Sequence, residues 1–114
     1  MRKSPVLPKS ADELLEQLFT MFPEYRASYS APIHNYALSF HSVLIDFSTA
    51  FGRLASTSSE KQLRSFGALV SAALEAGGAL ENAFVTCLLE HLHQIRAVRF
   101  RKFLTKSARE KTKG

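Results

Sequence analysis

The stretch ENAFVTCLLEHLHQ, Glu81 to Gln94, places two carboxylates, the Asn82 amide, the only cysteine and two of the four histidines within fourteen residues. Such a mixture could serve a metal ion, a thiol nucleophile or a carboxylate pair. For a metal, Cys87 pairs with Glu90 or with His91 at the three- and four-residue spacings that share a helical face. His34 or His41 would have to complete the ligand set, and one incomplete pair does not make a zinc motif, so no metal is expected. A cysteine nucleophile needs a nearby base and a lowered thiol pKa. His91 is one turn from Cys87, but both fall in the middle of an apolar helix instead of at a helix start. The expected roles are a small core hydrophobe for Cys87 and a hydrogen-bonded, partly buried ring for His91. Glu81 and Glu90 are nine residues apart and so face opposite ways, while Gly77-Gly78 lacks the Lys-Ser/Thr that completes a phosphate loop. No catalytic residue and no cofactor are expected.

The elements that must hold these groups are helical. Ser10 and Glu13 have capping-box spacing, and Leu14, Leu15, Leu18, Phe19 and Phe22 follow at the repeat of one helical face until Pro23 ends it. PEYRASYSAPIH is expected to be an ordered linker with at most one short turn. A second helix is predicted from Ile33 or His34 to Arg53, with Phe40, Leu44, Phe47 and Phe51 on its stripe, Gly52 near its end and LASTSSE as the turn. Ser58 or Ser59 caps a third helix, which Gly77 and Gly78 terminate. A fourth is predicted from Ala79 to Arg96, with a wide apolar stripe expected of a central helix, and AVRFRKFLTKSAREKTKG could continue as a fifth, basic one. The expected fold is all-α, a compact bundle of four to five helices. Residues 1–9 form a basic extension, 10–104 a single helical domain, and 105–114 a basic tail that frays.

Asp46 and Asn82 stand out from this pattern. Asp46 is the only acidic residue between Glu24 and Glu60 and lies among Leu44, Ile45 and Phe47; Asn82 opens the most apolar helix. A buried polar group is costly unless paired, so each either bonds a neighbouring group or marks a recognition surface. HSVLIDFSTAF together with ENAFVTCLLEHL resembles a family of small bacterial helical domains in which a helix with an Asp-Phe pair precedes one with an early Asn and a later Leu-Leu-Glu-like core. Asp46, Phe47, Asn82, Leu89 and Glu90 carry that likeness, which spans Leu14 to Ile95. The resemblance implies a fold and a setting like that of immunity proteins, some accompanying secreted toxins, and brings no catalytic residue with it.

Charge divides sharply along the 114 residues. Eight Lys or Arg residues face Glu110 alone from Arg96 to Gly114, a net of +7, whereas Ser10 to Ile95 carries a net of −5. An acidic body with basic ends makes the pI of 9.7 weak evidence for nucleic-acid binding. The single cysteine rules out an intramolecular disulfide, the short apolar run Val6-Leu7 falls far below a signal peptide, and no stretch is apolar enough to span a membrane; the expected location is the cytoplasm. The leading functional expectation is a non-enzymatic binding domain, an immunity protein that occludes a cognate toxin, with Tyr25, Tyr29, Asp46, Glu81, Asn82, Phe100 and Phe103 as partner-binding residues. The alternative is a nucleic-acid accessory protein using Arg96, Arg99, Arg101, Lys102 and Lys106. Nine Phe are many for so small an interior, so Phe100 and Phe103 are expected to lie exposed in the basic segment, where a homodimer or a toxin would cover them.

Overall fold

A computed structural model describes residues 6–29 and 38–112. Among these residues every regular element is a helix: α1 (Ala11–Met21), α2 (Pro23–Ser28), α3 (Phe40–Thr57), α4 (Glu60–Ala76), α5 (Gly78–Cys87), two 3₁₀ segments (Leu89–His91 and Val98–Phe103) and the short α6 (Lys106–Arg109). The all-α bundle expected from the periodicity is present. None of the helices is long and apolar enough to cross a membrane.

Side chains at the helix starts set the boundaries. Ser10 Oγ accepts the Glu13 amide at 3.2 Å, while the Glu13 carboxylate reaches the Lys9 amide at 2.9 Å, one residue beyond the position of a standard capping box. Pro23 ends α1 and also opens α2, since its fixed φ and missing N–H suit a first helical turn. The linker predicted after Pro23 is therefore helical through Ser28; its remainder, and Ile33 and His34 where the second helix was predicted to begin, lie outside the described residues. Ser39 caps α3 and Ser59 caps α4, each with a reciprocal bond from the residue three further on, Ser42 and Gln62.

Three sequence expectations fail here for physical reasons. Gly52 does not end the second helix. α3 continues to Thr57 and buries Leu54 and Ala55; glycine stands at 52 because a β-carbon there would lie 2.0 Å from the Ile95 carbonyl oxygen. The glycine is a notch for another backbone. The fourth helix stops at Cys87, nine residues before the predicted Arg96. Leu88 leaves helical geometry at φ −127°, and Leu88, Leu89 and Leu92 all have zero exposure in the new chain direction. The chain then closes one turn and reverses at Arg96, whose φ is +60°. Ala97 N–H donates to Leu92 C=O at 2.8 Å and Arg96 N–H to His93 C=O at 3.1 Å, the bond pair of a Schellman ending with arginine where glycine is usual.

The basic C-terminal stretch is no continuous helix: Val98–Phe103 is a 3₁₀ segment and Lys106–Arg109 a separate short helix. In the 3₁₀ segment side chains three apart eclipse one another, so Phe100 and Phe103 turn inward together while Arg99 and Lys102 remain exposed. Phe100 is fully buried, stacked on Phe66 at 5.2 Å and edge-on to Phe51 at 5.1 Å. Gly67 admits this segment: a β-carbon there would meet the Phe103 carbonyl oxygen at 2.3 Å. Thr105 N–H then donates to Ser71 Oγ at 3.1 Å, Thr105 Oγ1 caps α6, and Ala108 is buried. Phe22, Phe47, Phe51, Phe66, Phe84 and Phe100 fill one continuous interior through mostly tilted or edge-to-face contacts. The interior thus houses more phenylalanine than the size argument allowed.

Candidate recognition site

Tyr25 and Tyr29 reach one cleft from α2 and its C-cap, and Asp46, Thr49, Ala50 and Arg53 reach it from α3; Ser28 completes the lining of a cleft of about 270 Å³. The α3 positions recur at three, four and seven residues, so they form a single stripe on the helix. Because Pro23 starts α2 directly after α1, Tyr25 sits beside Phe47 at 5.0 Å in an edge-on contact and is only 2% exposed. Its hydroxyl donates to Asp46 Oδ2 in a short hydrogen bond. Phe19 lies 5.7 Å from Tyr25 and 5.2 Å from Tyr29, with the two tyrosine rings 5.7 Å apart, and the Arg26 guanidinium stands over Phe19 at 5.6 Å. Aromatic packing therefore fixes the α2 side of the cleft.

The electrostatics follow from this placement. Burial holds the Tyr25 phenol well above its ordinary range, and the hydrogen bond to Asp46, then the carboxylate charge, then the neighbouring Tyr29 add to it. At neutral pH the Tyr25 hydroxyl is a donor. Asp46 is exposed and, among the described residues, engaged by Tyr25 at Oδ2, and a carboxylate has acceptor capacity beyond one bond. The residue that seemed out of place in an apolar stripe is a polar edge residue with an assigned partner. Thr49 Oγ1 donates to the Asp46 carbonyl at 2.7 Å and Ser28 Oγ to the Tyr25 carbonyl at 3.2 Å, tying both hydroxyls to their own helices.

Asn82 belongs elsewhere. Its amide nitrogen is 3.3 Å from His41 Nε2 at the start of α3, and Thr86 Oγ1 donates to the Asn82 carbonyl at 2.8 Å. Positions 41 and 46 of a helix point about 140° apart, so Asp46 and Asn82 do not share one surface. Glu81 is half-buried on α5, away from the cleft lining. The Cys87–His91 pairing dissolves because the helix ends between them: Cys87 Sγ donates to the His41 carbonyl at 3.7 Å, whereas His91 Nδ1 bonds Gln94 Oε1 at 2.6 Å. Cys87 is buried, 8% exposed. Among the described residues no three His, Cys, Asp or Glu side chains converge as metal ligands, and His34 lies outside them.

Of the predicted partner-binding set, Tyr25, Tyr29 and Asp46 come together. Phe100, predicted exposed, is in the core, and Phe103 is half-buried beneath the Lys102 ammonium at 5.2 Å. A surface for self-association built on Phe100 is therefore absent. Arg53 was missed as a cleft residue, although its seven-residue separation from Asp46 already placed both on one face. Arg96, Arg99, Lys102 and Lys106 are exposed and Arg101 half-buried. Comparison with family models, curated proteins and solved structures gives no match for this chain. The class is accordingly that of the fold: an all-α bundle with a preformed polar cleft between a short and a long helix.

Proposed function

We propose that the chain is a non-enzymatic binding domain, acting as an immunity protein that occludes a cognate toxin. The observation that carries this reading is the cleft itself, where two tyrosines, an aspartate and an arginine are held in place by packing and hydrogen bonds. Tyrosine and arginine are over-represented among residues that dominate binding energy, and a prearranged wall avoids the entropy cost of ordering on contact. Charge supports the same reading. Asp12, Glu13, Glu16 and Glu24 are all exposed along α1 and α2; such a local acidic face speeds encounter with a basic partner. The test is co-expression with the product of the adjacent gene. A one-to-one complex at micromolar concentration and relief of growth arrest are expected; absence of both removes the proposal.

Exposed Arg96, Arg99, Lys102 and Lys106 keep a second reading, nucleic-acid binding, open to test. It would be electrostatic only, because burial of Phe100 removes a base-stacking ring. Each phosphate contact contributes about −0.9 to the logarithmic salt slope on duplex DNA. Arg99→Gln with Lys102→Gln should then flatten the slope by about two. No retention of DNA or RNA at low salt rejects this reading.

A further inference from the structure

Asp46 and Arg53 stand at the same azimuth on α3, seven residues apart, so their α-carbons are separated by about 10 Å along the helix. Both line the α2–α3 cleft, with Thr49 and Ala50 between them and Tyr25 and Tyr29 opposite. The cleft therefore carries a carboxylate toward one end, a guanidinium toward the other and an aromatic wall along the side. A lone cation would meet Asp46 favourably but gain nothing from Arg53, and a lone anion the reverse.

We propose that this cleft recognises a bipolar segment of the partner, a stretch presenting a basic side chain to Asp46 and a carboxylate to Arg53, two positions whose α-carbons are about 10 Å apart. The inference rests on the partner-binding reading and specifies its chemistry. Tyr25 orients the Asp46 carboxylate through Oδ2, and Oδ1, which accepts no bond from the described residues, meets the incoming cation; Arg53 offers paired donors to the incoming carboxylate. A polyproline II chain repeats every three residues with a rise of about 3.1 Å, so side chains three residues apart share one face about 9 Å apart and match the spacing. Two charges of opposite sign also select register and chain direction, which one charge cannot do.

The probe is a blocked tetrapeptide, acetyl-Arg-Ala-Ala-Glu-amide, titrated into the isotope-labelled full chain and followed by amide chemical shifts. Shift changes are expected in α2 and along 46–53, with a dissociation constant of about millimolar order. The controls acetyl-Arg-Ala-Ala-Arg-amide and acetyl-Glu-Ala-Ala-Glu-amide should each bind about tenfold or more weakly. Asp46→Asn, which keeps an acceptor for Tyr25, and Arg53→Gln should each weaken the mixed peptide by about tenfold, while Lys61→Gln on the exposed side of α4 should not. Equal binding of all three peptides, shifts confined to another surface, no shifts at tens of millimolar, or indifference to both cleft substitutions would overturn the proposal. The adjacent-gene product separates this from the broader reading. A complex that forms but tolerates Asp46→Asn and Arg53→Gln refutes the bipolar cleft alone, whereas cleft-specific peptide binding without any complex refutes the immunity reading alone.

Discussion

Tyr25 shows how one side chain joins the core to the cleft. Its ring is buried against Phe47, and its hydroxyl reaches the exposed Asp46. The phenol is held neutral above its ordinary pKa, first by burial and then by Asp46. In the unfolded chain it ionises near pH 10, so the associated stability is fully present below that pH and declines above it, by up to about 1.4 kcal/mol per pH unit. Urea midpoints measured from pH 8 to 11 should therefore fall at the alkaline end, and Tyr25→Phe should remove that part of the decline. At neutral pH the same substitution should cost about 1 kcal/mol, the net worth of the hydrogen bond, because exposed Asp46 can rehydrate. Arg96 poses the opposite case. A left-handed backbone costs a side-chain-bearing residue about 1–2 kcal/mol, and glycine recovers part of this at an entropic cost of its own. Arg96→Gly should raise stability by about 1 kcal/mol, measured by denaturant melts; a loss would show that the guanidinium makes a stabilising contact that outweighs the strain.

At the scale of elements, what was legible was what depends on neighbours in sequence. Apolar spacing placed α1, α4 and the body of α3, and Ser59, Pro23 and the Gly77-Gly78 pair marked their ends because capping and glycine geometry are local. The C-terminal third was not legible in that way. Its apolar residues fit a helical stripe, but whether Leu88, Leu89 and Leu92 can reach one core depends on surfaces contributed by α3, α4 and α5, which no local pattern contains. The same applies to the site: the residue types at Tyr25, Tyr29 and Asp46 stood out, while the Tyr25–Asp46 bond crosses twenty-one residues of chain. Gly52 and Gly67 carry the corresponding lesson, since both sit inside helices where alanine is the better helix former by about 1 kcal/mol. At each a methyl group would collide with the backbone oxygen of the C-terminal segment, at 2.0 and 2.3 Å. Overpacking against an immovable partner costs about 1–3 kcal/mol, which exceeds the propensity gain. Gly52→Ala and Gly67→Ala should thus each destabilise, whereas Glu75→Ala on the exposed face of α4 should not, a difference in sign that thermal melts can read directly.

For the whole molecule, the basic C-terminal segment is a structural part of the acidic body. Ala97, Phe100, Leu104 and Ala108 are buried in the same cluster as Phe51, Phe66 and Leu69, and Ser71 on α4 accepts the Thr105 amide. Truncation after Ile95 would strip four buried residues from the core and open the notch at Gly67, which Phe103 fills. Removal of Phe100 alone corresponds to a large-to-small change costing about 3–5 kcal/mol, a large share of the about 5–15 kcal/mol that holds a domain folded. The shortened chain should therefore lose its cooperative thermal transition and expose apolar surface to a dye such as ANS, and any loss of partner or nucleic-acid binding that followed would report unfolding. Arg99→Gln with Lys102→Gln removes charge from the same segment while sparing its buried edge, so its melting temperature should stay close to that of the parent chain. A truncated chain that still unfolds cooperatively near the parent temperature would show that α1 to α5 form a sufficient core and that the segment is an appendage after all.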